Sequence, residues 1–167
     1  MIESASFMSD FNCWTIAQMR EAGVSEGDGL FILGYPLGQM SKGQRRAVAR
    51  AGVVARIRDV FDDSTQPFLI DAHIFPGNSG GAVVTQPDVA ALGDTQPIAA
   101  AMVIGILTDV QMHFADVRNL ETGARFRIKT PAGLGSVQPM DRVFETIAEH
   151  RRLHPANATD APSTVTP

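Results

Sequence analysis

Polar and apolar positions alternate most clearly over residues 47–58. Ala47, Ala49, Ala51, Val53, Ala55 and Ile57 form one series; Val48, Arg50, Gly52, Val54, Arg56 and Arg58 form the other. A period of two predicts a half-buried strand. The residue types place the alanine-rich series inward and the arginines in solvent, screened by the nearby Asp59, Asp62 and Asp63. Shorter runs predict further strands at 30–33, 67–71 and 81–85. Residues 98–109 are apolar throughout, and the β-branched content of Val103-Ile104-Gly105-Ile106-Leu107 favours a buried strand over a helix. Alternation returns at 124–129, with Ala124, Phe126 and Ile128 on one face, and 134–138 reads as the last strand.

Two segments carry a helical period. Residues 14–22 predict a short helix, capped by Asn12 or Thr15 and stopped by Gly23 and Val24. Val143, Phe144, Ile147 and Ala148 predict a second helix over 141–151. His150, Arg151 and Arg152 fall at its end, where the dipole favours cations. Glu26-Gly27-Asp28 and Gly34-Tyr35-Pro36-Leu37-Gly38 read as turns, 40–46 as a polar loop and 86–96 as another loop. The Pro/Ala/Ser/Thr-rich stretch 155–167 is expected to be disordered.

Several short strands followed by one helix predict an all-β antiparallel barrel or sandwich. The division expected is a lead-in with its short helix at 1–23, the barrel and its closing helix at 24–152, and a tail at 153–167. With 167 residues, 44% hydrophobic and 19% charged, the chain is long enough for one domain with a real core. A net charge of −4 gives no reason to expect nucleic acid. Cys13 stands alone, which excludes an intrachain disulfide and leaves it as a small, partly buried hydrophobe. The longest apolar run, 97–107, is too short to span a membrane. No signal peptide is visible, so the cytoplasm is the default compartment. No cofactor and no metal site is expected.

The candidate chemistry lies between two strands, in Phe75-Pro76-Gly77-Asn78-Ser79-Gly80-Gly81. Such a composition suits an ordinary turn. It also suits a nucleophile loop. The glycines permit positive φ and close approach to the main chain, and a tight turn there holds the Ser79 hydroxyl outward. It also aims the N–H groups of Gly77 and Ser79 at one point, as an oxyanion hole requires. With Asp71, Ala72 and Ile74 before it, the segment resembles the nucleophile loop of bacterial trypsin-like (chymotrypsin-fold) serine peptidases. Residues 29–36, 104–108 and 134–139 resemble, in turn, the opening strand, the substrate-pairing strand and the last strand of that family's second Greek-key barrel.

The resemblance implies an endopeptidase that forms an acyl-enzyme on Ser79, with Gly77 and Ser79 as backbone oxyanion donors. It places Thr108 and Asp109 along the substrate cleft and His73 at the floor of the specificity pocket. It sets Asn78 where digestive relatives carry an Asp that pairs with a freed N-terminus, a bond an amide cannot make. The family's general-base His and orienting Asp come from a first barrel, and no segment like theirs precedes Ser79. His73 does not hold the base's position, and His113, in a loop by this reading, His150 and His154 have bland roles. Two readings follow. In one, the chain is the C-terminal half of a serine endopeptidase, acting on peptides or proteins and paired with a missing first barrel or with itself. In the other, it is a non-catalytic peptidase-like module that binds peptides or proteins through the old cleft.

Overall fold

Thr15 starts the first helix. Its hydroxyl accepts from the Gln18 N–H, and the Gln18 side chain accepts from the Thr15 N–H at 2.8 Å, a reciprocal capping box. The helix, α1 (Ile16–Glu21), ends where Gly23 takes φ 76°, with Gly23 N–H donating to Arg20 and Val24 N–H to Met19. That is the Schellman stop the Gly-Val pair predicts. The structure is a computed structural model and describes residues 12–35, 47–75, 77–87 and 98–155. The turns and loops expected at 36–46 and 88–97, the tail from 156 and the start of the chain lie outside these.

Six strands follow: β1 (Gly29–Gly34), β2 (Val48–Arg56), β3 (Phe68–Ala72), β4 (Ala82–Thr85), β5 (Val103–Arg118) and β6 (Arg125–Pro139). Between β2 and β3 lies the short helix α2 (Arg58–Asp62), and α3 (Met140–Leu153) closes the described chain. Every strand pairs antiparallel with its neighbours, and the sheet closes on itself in the order β1-β2-β3-β6-β5-β4. Closure removes the exposed edges that an open six-stranded sheet would leave.

The core sits inside the barrel. Leu30 and Ile32 of β1, Val54 of β2, Phe68 and Ile70 of β3, Val83, Ile104, Leu107 and Val137 are all buried together. Ile16 and Met19 of α1 join this cluster, so the lead-in helix is part of the barrel's packing. Asp141 at the start of α3 accepts from the Ile16 N–H at 2.8 Å and ties the two helices together. Cys13 is buried with Val103 and Met140, as expected of a small hydrophobe.

Several expectations need correction. The inward face of β2 is the opposite of the one predicted. Val54 is buried and Gly52 faces inward, while Ala49, Ala51 and Val53 face out. Sterics decide this: a Cβ on Gly52 would stand 2.7 Å from the Ala72 Cβ and 2.7 Å from the Asp71 carbonyl oxygen. Ala72 is the cross-strand partner of Gly52, and core Ile32 Cδ1 would lie 3.1 Å from the same Cβ, so the inward position at 52 has no room for a side chain. Arg50 is consequently half-buried, its guanidinium 5.0 Å from the centre of the Phe75 ring. Arg56 does lie in solvent, paired with Asp59 at 2.7 Å.

The strand predicted through residue 58 ends at Arg56, and α2 follows where no helix was expected. It has no side-chain cap of its own. Glu26 from a distant turn fills that role, accepting from the N–H groups of Ile57 and Arg58 at 3.2 and 3.4 Å. Burial disfavours the Glu26 carboxylate, but these N–H groups, its own N–H and the Arg58 charge outweigh that and hold its pKa below the ordinary value.

The apolar run at 98–109 becomes a strand only from Val103. Before it, Met102 and Ala100 are tied to Thr85, whose hydroxyl donates to the Ala100 carbonyl at 2.8 Å and accepts from the Met102 N–H at 2.9 Å. Beyond Leu107, β5 continues to Arg118 through the segment expected to be a loop, so His113 is a strand residue. The segments predicted at 124–129 and 134–138 form one strand, because each residue of the outer half finds a partner across the hairpin.

If Gly52 marks the inward face, Gly52→Ala should lower the urea midpoint by an amount equivalent to about 1–3 kcal/mol. Val53→Thr, on the outer face, should stay within about 0.5 kcal/mol of wild type. The reverse order in a urea titration of the two variants would contradict the assignment.

Candidate active site

The segment between β3 and β4 turns tightly over the end of the barrel. Asn78 N–H donates to the Phe75 carbonyl at 3.1 Å, and Gly81 N–H donates to the Asn78 carbonyl at 3.0 Å. Gly77 and Gly80 both adopt positive φ, 96° and 84°, a region costly for any residue with a Cβ. Next, the loop is fastened to β5. Gly80 N–H donates to the Leu107 carbonyl at 2.7 Å, and Leu107 N–H donates to the Gly81 carbonyl at 2.9 Å. On its other side the loop lies against β1. A Cβ on Gly81 would collide with the Leu33 carbonyl oxygen and come within 2.8 Å of the Asn78 carbonyl oxygen.

A cavity of about 310 Å³ opens beside this turn, lined by Gly77, Ser79, Gly80, Gly81 and Ala82 from the loop and by Leu33, Gly34, Tyr35 and Ala47 from β1 and its surroundings. Gly77 and Ser79 are both exposed there. Among the described residues, neither the Gly77 N–H nor the Ser79 N–H donates to a backbone carbonyl. Two free donors thus flank a hydroxyl at a concave surface whose described lining carries no charged side chain. Chemically, such a place suits a carbonyl oxygen that gains negative charge.

The remaining candidates divide. Asn78 is 1% exposed, and its Oδ1 has no hydrogen-bond partner. It therefore sits under the turn rather than in the cavity. Thr108 and Asp109 lie on exposed β5, immediately after the residue that fastens the loop. The Thr108 hydroxyl donates to the Ser136 carbonyl at 3.1 Å, and Asp109 Oδ1 accepts from the Val110 N–H at 2.8 Å. His73 is exposed just beyond β3, with its ring edge-on to Phe75 at 4.9 Å. None of these four contributes to the described lining of the Ser79 cavity.

His113 lies on the outer half of β5, and His150 and His154 face one another at 4.7 Å at the end of α3. Among the described residues no hydrogen bond joins any of the four histidines to Ser79. Leu33 and Ala47 were missed as cavity residues. They are ordinary apolar positions locally, and only the pairing of Leu33 with Ala49 brings β2 beside the loop. The chain matches no protein-family model and no curated protein sequence.

The enclosed, partnerless Oδ1 makes Asn78 a sensitive reporter of this turn. Asn78→Asp buries a carboxylate with no donor, which raises its folded pKa above the unfolded value. The stability loss should be fully present above the raised pKa and vanish as pH falls below ~4. Urea titrations should show a deficit of at least about 2 kcal/mol at pH 7 that narrows steadily on acidification. An equal midpoint for both proteins at pH 7 would mean that the Asn78 position is open to solvent.

Proposed function

We propose that this chain carries the second, nucleophile-bearing Greek-key barrel of a trypsin-like serine endopeptidase. The observation that supports the reading best is the exposed Ser79 between two uncommitted backbone N–H groups beside a cavity. In the reaction, Ser79 Oγ bonds to the scissile carbonyl carbon, and the carbonyl oxygen takes up negative charge facing the Gly77 and Ser79 N–H groups. The hydroxyl proton passes to a base and then to the departing amine. Water attacks the acyl-enzyme and regenerates the hydroxyl. Substrate backbone runs along β5 at Thr108 and Asp109, with His73 toward the side-chain pocket, while Asn78 supports the turn from beneath. No cofactor takes part in these steps.

The base has to come from elsewhere than the four histidines of this chain. A docking surface for a second body is available next to the cavity. Val53 of β2 and Tyr35 after β1 are exposed, and Ala49 and Ala51 face the same way as Val53. A first barrel, or another protein that supplies a His and an Asp, would cover this apolar outer face. The absence of any imidazole bonded to Ser79 supports the second reading, a non-catalytic module that binds peptides through the same cleft.

The two readings separate when a base is supplied from solution. Labelling of Ser79 by a fluorophosphonate should be slow for the chain alone. It should rise in proportion to added imidazole and be abolished by Ser79→Ala. An imidazole series with no Ser79-dependent labelling would reject the catalytic reading.

A further inference from the structure

The outer half of the β5–β6 hairpin stands apart from the barrel. β5 pairs with β4 only between Val103 and Ile106, and β6 pairs with β3 only between Leu134 and Val137. From Met112↔Pro131 to Arg118↔Arg125, the two strands are paired only with each other among the described residues. The turn is firmly built: Asn119 N–H donates to the Ala124 carbonyl at 2.8 Å, and Asn119 Oδ1 accepts from the Glu121 and Thr122 N–H groups. A two-stranded ribbon of this kind is marginal in water, and a third strand with an apolar face is what stabilises one.

Its two faces differ. Alternation puts Ala115, Val117, Phe126 and Ile128 on one side, and Val117, Phe126 and Ile128 are 44%, 57% and 46% exposed. The other side is charged. Arg127 holds Asp116 through two bonds at 2.8 and 3.2 Å, and Lys129 lies 5.8 Å from the centre of the Phe114 ring. Arg118 and Arg125 then face each other directly with no carboxylate partner among the described residues. Like charges directly opposite are unfavourable and call for an anion. They border a concavity of about 480 Å³ at the ribbon's far end.

We propose that this ribbon is the docking strand for an extended acidic-apolar polypeptide that adds to the edge of β5 left unpaired among the described residues. The edge of β6 is the poorer template, since Pro131 offers no N–H. Apolar side chains of the peptide cover Ala115 and Val117, and an acidic residue meets Arg118 and Arg125. An antiparallel peptide enters at Arg118 and runs toward Leu107, which fastens the Ser79 loop. Its acidic residue therefore lies roughly ten positions N-terminal to the residue at Ser79, at ~3.3 Å per residue. This last step rests on the cleft reading given above; the docking itself does not. A second copy of the chain fits less well. The ribbon's apolar face covers only ~250 Å², against ~800 Å² per partner in a stable interface.

The test is fluorescence anisotropy of a labelled peptide with alternating valine and glutamate, an N-terminal acidic end and a C-terminal photocrosslinker, titrated with the full chain. It should bind at least tenfold tighter than its lysine-for-glutamate counterpart, and a version with alternate residues replaced by proline should not bind. Val117→Ser with Phe126→Ser should weaken binding about tenfold. Arg118→Glu with Arg125→Glu should reverse the charge preference, which also shows that the variant is folded. Equal affinity for both charge forms, or a preference that survives the arginine reversal, overturns the proposal. So does a dimer in sedimentation that the Val117/Phe126 variant abolishes. If binding behaves as expected but the crosslink misses residues 77–81, the docking strand stands and the cleft reading falls.

Discussion

The pair of hydrogen bonds between the Ser79 loop and Leu107 is the constraint on which the site depends. Gly80 N–H and the Gly81 carbonyl both engage the backbone of one β5 residue, at 2.7 and 2.9 Å. That fastens the loop to a strand whose own side chain is fully buried in the core. The loop can close this way only because Gly81 has no Cβ to strike the Leu33 carbonyl. With Gly80 and Gly81 committed, the turn leaves the Gly77 and Ser79 N–H groups without backbone acceptors among the described residues, beside an open cavity. Stability and candidate chemistry thus share the same few atoms. A site built on strands in this way is held more rigidly than one on a free loop.

Barrel closure matters for the same reason. β1 and β4 pair across the seam, with Phe31 opposite Val84, and this brings Leu33 and Tyr35 to the loop's flank. Beyond the barrel, β5 continues as the outer hairpin, so one strand links the core, the loop anchor and the exposed ribbon. The apolar positions in solvent fall mainly on that ribbon and on the outer face of β2, not scattered over the surface. Both patches adjoin elements that touch the Ser79 loop.

Local signals carried much of this. The Gly23 stop, the helix after the strands and the antiparallel all-β character follow from period and turn chemistry, and so does the glycine-bounded Ser79 turn. What failed was set by partners distant in sequence. Period alone told that 47–57 is a strand but not which face is inside; alanine looked apolar, while the decisive residue was Gly52 against Ala72. Helix α2 was hidden because its cap, Glu26, comes from another part of the chain. The outer half of β6 was legible from its alternation at 124–129, but the outer half of β5 was missed because it is held only by its hairpin partner rather than by a buried face. In the candidate site, glycine placement pointed to Gly77 and Ser79. Burial of Asn78 and the contribution of Leu33 and Ala47 depended on the fold.

The central claim is that the Gly77 and Ser79 N–H groups form a ready oxyanion site for chemistry at Ser79. A crystal structure of the chain phosphonylated at Ser79 tests it most directly. The phosphoryl oxygen should lie 2.7–3.1 Å from both nitrogens, with the loop's bonds to Leu107 unchanged. A phosphoryl oxygen turned to solvent, or a loop that has left Leu107 to accommodate the adduct, would contradict the account.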